Sequence, residues 1–249
     1  MKQKIWSFFS LIGILVAGYS WSFAGDFEEG IAAYNKGDYS ATYRIFLKEA
    51  QKGDARAQYK LGFMYANGQG VAKDYKEAVK WYKHAAEKGL AAAQYNLGIM
   101  YEEGWGVMPD VQEAVRWYRF AAEKGLPAAQ YNLGVMFGNG HGVQQDDKEA
   151  FRWFHRAAVQ GLAPAQYNLG LMYANGLGVE QDDGAAFKWF QLAAVQNDLK
   201  AKCSLAMMYA TGSGTAKDMV KAKQLAREGY EAGDEICKIV WDKNQLGNY

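Results

Sequence analysis

The apolar positions of the chain repeat in two helical patterns. In residues 54–67, Ala57, Leu61, Met64 and Tyr65 stand at i, i+4, i+7 and i+8, one stripe along an amphipathic helix. Gly68-Gln69-Gly70 interrupts it, since glycine accepts positive φ and weakens helix interiors. A second stripe follows through Ala78, Trp81, Tyr82 and Ala85 at i, i+3, i+4 and i+7, and stops at Gly89, whose counterparts are Gly125 and Gly161. Between the stripes Asp74 recurs as Asp110, Asp146, Asp182 and Asp218. Glu77, Glu113 and Glu149 follow three residues later in the first three units. That is the spacing of a helix N-cap and a reciprocal N3 partner, so these carboxylates read as helix starts rather than acid/base pairs. The unit is therefore a helix A, a glycine turn and a helix B.

Shifted on itself by 36 residues without gaps, the chain aligns Gln58, Gln94, Gln130 and Gln166, then Leu61, Leu97, Leu133 and Leu169, then Gly62, Gly98, Gly134 and Gly170. The same shift aligns Gly70, Gly106, Gly142, Gly178 and Gly214, and Trp81, Trp117, Trp153 and Trp189. Self-similarity at this period predicts an all-α array of stacked antiparallel helix pairs, in which each unit buries its apolar face only against its neighbours. The alanines and the Gly62 column are small where paired helices approach, and the Trp column is expected to fill the space beside them.

The first residues read differently. Lys2 and Lys4 precede an apolar run through Phe8, Phe9, Leu11, Ile12, Ile14, Leu15, Val16 and Ala17, and Ser22-Phe23-Ala24 fits the small-x-small cleavage site of a secretory signal peptide. The competing reading is an uncleaved anchor, because Ile5 to Ala24 is close to the length of a bilayer span. No cysteine near residue 24 supports a lipid-anchored form, and no later segment is apolar enough to span a membrane.

The motifs Ala57-Gln58-Tyr59-Lys60-Leu61-Gly62-Phe63-Met64-Tyr65, Gly68-Gln69-Gly70-Val71 and Ala78-Val79-Lys80-Trp81-Tyr82 resemble the Sel-one-like repeat, a relative of the tetratricopeptide repeat. On this resemblance the chain divides into a signal peptide (1–24), a tetratricopeptide-like unit with a shorter turn (25–53), repeats 54–89, 90–125, 126–161 and 162–197, a degenerate repeat 198–233, and a capping helix and tail (234–249). In the degenerate copy Lys202, Ala206 and Leu225 replace Gln, Gly and Trp. The resemblance implies a right-handed α-solenoid that acts as a non-catalytic adaptor, binding a protein or peptide on a concave face lined by helix A. The leader pattern places the chain in the periplasm or beyond, and secreted bacterial members of the family it resembles are associated with envelope assembly, exopolysaccharide export, signalling and host-cell interaction. An alternative partner is the envelope glycan machinery, and the oligomeric state is left open.

By the same resemblance the concave positions are Arg56, Tyr59, Lys60 and Phe63 in the first full repeat, continued by Tyr95, Tyr131 and Tyr167 and by Asn96, Asn132 and Asn168. A ladder of Asn amides at one-repeat spacing offers a donor and an acceptor at each step to an extended peptide, and the Tyr rings supply contact area. The other reading of these columns is packing between repeats.

Composition narrows the chemistry. Lys plus Arg number 28 against 27 Asp plus Glu, a net charge of +1, which lacks the basic excess of a nucleic-acid reader. The GxG pairs lack the strand and third glycine of a dinucleotide site. His84, His141 and His155 fall at unrelated phases with no HExxH or CxxC spacing, so no metal or cofactor is expected. Cys203 and Cys237 lie on helix A of the degenerate repeat and on the capping helix. Export would permit a bridge, and the Cα separation of ~5–6 Å that it requires is not fixed by sequence. Cysteine-rich relatives linked to β-lactam hydrolysis raise an enzymatic alternative, but this chain lacks their cysteine pair in each repeat and any SxxK or GxSxG motif.

Overall fold

The computed structural model describes residues 26–244, so the signal-peptide and anchor readings of residues 1–24, and the last five residues of the tail, lie outside the described residues. The described residues contain helices and turns and no strand. Helix α1 covers 26–35, and α2 is Tyr39–Gln51. The A helices of the five repeats are α3 (Ala55–Asn67), α5 (Ala91–Glu103), α7 (Pro127–Asn139), α9 (Ala163–Asn175) and α11 (Leu199–Thr211). The B helices are α4 (Tyr75–Glu87), α6 (Val111–Glu123), α8 (Asp147–Val159), α10 (Asp183–Val195) and α12 (Met219–Glu231), and α13 (Glu235–Lys243) follows.

The chain forms two compact units divided within α6, between Trp117 and Tyr118. Each is a stack of antiparallel helix pairs, the arrangement of an α-solenoid. The antiparallel sense shows in which residues meet. At the loop end the Asp74 N–H donates to the Tyr65 carbonyl at 3.0 Å, while farther from the loop Gly62 lies against Tyr82.

Helix pairs close because one column has no side chain. A Cβ on Gly62 would lie 2.6 Å from the Tyr82 ring, one on Gly134 2.6 Å from Phe154, and one on Gly170 2.6 Å from Phe190. The rings that fill this space are therefore Tyr82, Phe154 and Phe190, one residue on from the tryptophans expected there. Trp153 is itself buried, and Trp81 and Trp189 are half-buried beside the pair. In the fifth repeat Ala206 replaces the glycine and Ala226 the ring, and both sit in one buried cluster with Ala222.

Two further contacts join one repeat to the next. Gln58, Gln94, Gln130 and Gln166 are buried, and each donates its Nε2 to a carbonyl in the last turn of the preceding B helix: Ala50, Ala86, Ala122 and Ala158, at 3.0–3.1 Å. Each of these carbonyls also accepts the backbone N–H three residues on, from Gly53, Gly89, Gly125 and Gly161 at 2.9–3.0 Å, so the amide fills its second acceptor position. The second turn glycine rests on the first residue of the preceding B helix. A Cβ on Gly70 would lie 2.3 Å from the Tyr39 carbonyl oxygen, and one on Gly178 2.2 Å from that of Asp147.

The aspartates cap as expected, with one correction. Asp74 accepts from the Lys76 and Glu77 amides, Asp146 from those of Lys148 and Glu149, and Asp110 from that of Glu113. The N3 glutamates do not reach back to close a capping box. Glu113 and Glu149 pair with Arg116 and Arg152 one turn on, and Glu77 pairs with Lys80. The cap residue's own N–H is already taken by helix A: Asp110 donates to Tyr101, Asp146 to Phe137, Asp182 to Tyr173 and Asp218 to Tyr209, at 2.8–3.0 Å. Asp146→Ala should thus cost about 1 kcal/mol in chemical denaturation. Glu149→Ala, which removes only an exposed pair, should cost under about 0.5 kcal/mol.

Candidate functional site

Helix A positions the expected binding residues, and the structure divides them by what each touches. In the first unit they are engaged with the protein itself. Arg56 is exposed but stacks its guanidinium 4.1 Å over the Phe27 ring and bridges Asp54 at 3.2 Å. Lys60 places its Nζ 5.8 Å from the Tyr34 ring centroid, and Phe63 packs on the core cluster around Tyr82 and Leu97. Tyr59 lies 5.8 Å from the Tyr82 ring centroid. Tyr95 and Asn96 are half-buried on α5.

Asn96 stands against both phenol hydroxyls of the preceding repeat. Burial pushes the pKa of Tyr59 and Tyr82 above the usual tyrosine range, most for Tyr82, and the Asn96 side chain pulls the other way in each case. Tyr167 repeats the pattern: its ring centroid lies 5.7 Å from that of Phe190, burial raises its pKa, and the Ser204 side chain of the next repeat opposes that shift. The contact thus runs from a tyrosine to the residue 37 positions on, and it ties neighbouring repeats together. Tyr65, whose hydroxyl shares a 2.9 Å hydrogen bond with that of Tyr43, is pushed up to about 12, chiefly by burial.

In the second unit the face opens. Tyr131 packs 5.7 Å from the Phe154 centroid, and Asn132 is half-buried beside it. Asn168 lines a cleft of about 340 Å³ between α7, α8 and α9, together with Val135, Asn139, Phe154 and Leu171. Helices α7 and α9 contain no charged residue, and Asp147, at the start of α8, is the one charged residue of the cleft's lining. Sequence reasoning missed Val135, Gly138, Asn139 and Leu171. The signal was present in the 36-residue alignment, where Gly138 stands in a column otherwise filled by Ala66, Glu102, Ala174 and Ala210.

Cys203 and Cys237 are bonded, with Cα atoms 4.9 Å apart, which fastens α13 to α11. Gly229 makes the room: a Cβ there would lie 2.3 Å from the Cys237 sulfur, and the equivalent residues Ala121, Ala157 and Ala193 carry that methyl where no bridge exists. With Asp234 these cysteines form a group whose ligand atoms lie within 4.8 Å of one another, but the disulfide occupies both sulfurs that a metal would need. The three histidines are exposed and apart, His84 beside Trp81 and His155 between Phe151 and Trp189. No described helix is long and apolar enough to cross a membrane.

The Sel1 repeat profile matches residues 55–90, 91–126, 127–162, 163–198 and 199–234. The chain belongs to the Sel1 repeat family. Among solved structures it is similar to a Sel1 repeat protein from Oxalobacter formigenes, at 34% identity and a TM-score of 0.80, over 89% of this chain and 90% of that one. It is also similar to c5321, a protective antigen present in uropathogenic Escherichia coli strains, at 37% identity and a TM-score of 0.83 over 92% of this chain, which spans 50% of that protein. The immunity protein Pa5087 from Pseudomonas aeruginosa, at 21% identity and a TM-score of 0.50, covering 84% of this chain and 83% of that one, shares the fold alone. No match was found among curated proteins. Sel1 repeats generally mediate protein–protein interactions and are generally non-catalytic, and this Sel1 chain has the scaffold that such a role uses.

The contacts of Asn96 predict a stability effect. Asn96→Ala should cost about 1–3 kcal/mol by urea denaturation, because two phenol oxygens lose their partner. Asn168→Ala should cost less, since Phe154 stands where Tyr82 does and has no hydroxyl to satisfy.

Proposed function

We propose that the protein is a non-catalytic exported scaffold that holds a protein or peptide partner on the helix A face, with the seat in the second unit. The observation that carries this reading is the cleft at Asn168, an apolar hollow whose lining also holds the Asn139 and Asn168 amides and the Asp147 carboxylate. Clefts of this composition suit a peptide segment, whose apolar side chains need desolvation and whose backbone needs amide partners. The first unit offers less, because its matching residues are spent on packing. Export is supported by Lys2, Lys4, the apolar run and the Ser22-Phe23-Ala24 site. The bonded cysteine pair and the likeness to a protective antigen of a pathogen point the same way.

A photo-crosslinking residue at Leu171, with Lys80 as the control on α4, tests the scaffold reading in the producing cells. The expected result is a protein adduct from Leu171 and none from Lys80. Adducts from neither position, with retention of the protein on purified cell wall, would replace the peptide with an envelope glycan. Export predicts that the mature protein begins at Gly25, which N-terminal sequencing checks. A mature protein that retains Met1 to Ala24 would overturn cleavage.

A further inference from the structure

Helix α7 contains a glycine that its packing does not require. One turn earlier Gly134 lies under the Phe154 ring and has no room for a methyl group, but a Cβ on Gly138 would meet only the Ala150 Cβ, at an ordinary 3.7 Å. The Gly138 backbone is helical, so no positive φ calls for glycine either. Glycine in a helix interior is less favourable than alanine, and the equivalents of Gly138 are alanine in three other repeats, Ala66, Ala174 and Ala210, and Glu102 in the fourth. What the missing methyl does is deepen the cleft between α7, α8 and α9.

The cleft has a direction. Its apolar lining is Val135, Phe154, Leu171, Met172 and Leu177, with Phe154 and Met172 buried and Leu177 exposed. Asn139 and Asn168 stand at the rim. Asn67 and Asn175, the equivalents of Asn139, turn their amides back on their own helices and donate to the Phe63 and Leu171 carbonyls at 2.8 Å, whereas Asn139 makes no such bond. Asp147 also lines the cleft, and a second, polar hollow is lined by Glu180, Asp182 and Asp183. None of these four carboxylates has a cationic partner among the described residues, although the N3 glutamates of α4, α6 and α8 do.

We infer that the cleft is a specificity pocket for one aliphatic side chain of a partner peptide, with a basic residue beside it held by the Asp147 carboxylate. The inference rests on the scaffold reading and names what that scaffold selects. A volume of about 340 Å³ suits one side chain and its peptide group, at the small end of ligand pockets. The apolar lining removes the side chain from water, Asn139 and Asn168 meet the backbone, and the Asp147 carboxylate selects the sign of the neighbouring charge.

The test is an NMR titration of the isotopically labelled full chain with acetyl-Gly-Leu-Lys-Gly-amide, and with versions carrying Ala for Leu or Glu for Lys. The first peptide should give saturable shifts confined to amides in 134–139, 168–172 and around 177, and each altered peptide should bind about tenfold more weakly or worse. Gly138→Ala should weaken the first peptide by about tenfold or more while its melting temperature stays at or above that of the unaltered protein. Asp147→Asn should lower the preference for Lys over Glu and leave the preference for Leu over Ala. Absence of saturable shifts, equal binding of the Ala version, or a Gly138→Ala protein that binds as before would overturn the pocket. An Asp147→Asn protein with its charge preference intact would overturn the charged edge. Crosslinking at Leu171 reports on the scaffold separately: an adduct there with no peptide selectivity sinks the pocket alone, and failure of both sinks both.

Discussion

The helix pairs of the first, third and fourth repeats depend on a glycine facing an aromatic ring. The Gly62, Gly134 and Gly170 positions leave no space for a Cβ against Tyr82, Phe154 and Phe190, so the two helices can close only because that column is empty. Close approach brings the alanines on either side to full burial, and the side-chain interdigitation that follows is what interiors require. The fifth repeat shows that the requirement is one of volume rather than residue identity, since Ala206 and Ala226 share the same space that a glycine and a ring divide elsewhere.

The stack is then built by polar contacts that act between repeats. The buried Gln column adds a second hydrogen bond to a carbonyl in the last turn of the preceding helix, and the second turn glycine rests on the preceding helix start. In the second unit Gln160 and Gln196 complete the pattern, each donating to the free oxygen of Gln130 or Gln166 at 2.8 Å. In the first unit the equivalent of Gln160 is Lys88, which donates to the Gly53 carbonyl instead. The helix A face inherits rigidity from these contacts, and a rigid face binds without first having to be ordered. The disulfide extends the same logic to the end of the chain by fastening α13.

The repeat, its period, the helix boundaries and the Asp caps were legible in the sequence because each is local: periodicity, glycine and capping chemistry act within a few residues. What was not legible is which column faces which. The glycine meets a ring 20 residues away, and the Gln amide reaches back 8 residues. The pair Tyr59 and Asn96 is 37 residues apart. Those offsets are set by helix rotation, which a residue list does not contain. That is why the Trp column was credited with a space that its neighbour fills, and why the N3 glutamates were assigned an amide already bonded to helix A. The Asn and Tyr columns were equally ambiguous as ladder or packing. The structure engages Asn96 with the tyrosines of the preceding repeat and leaves Asn168 on a cleft, so one column has two surroundings at different points along the chain.

The most direct test of the glycine and ring account is a double-mutant cycle on the stability of the full chain, pairing Gly134→Ala with Phe154→Ala. Alone, Gly134→Ala should cost about 1–3 kcal/mol from overpacking, and Phe154→Ala about 3–5 kcal/mol from the lost ring. With Phe154 already replaced, Gly134→Ala should cost nothing, or stabilise by up to about 1 kcal/mol through helix propensity, as the alanine pair of the fifth repeat implies. An equal cost for Gly134→Ala in both backgrounds would show that the ring does not set the approach of the helices, and would contradict the account.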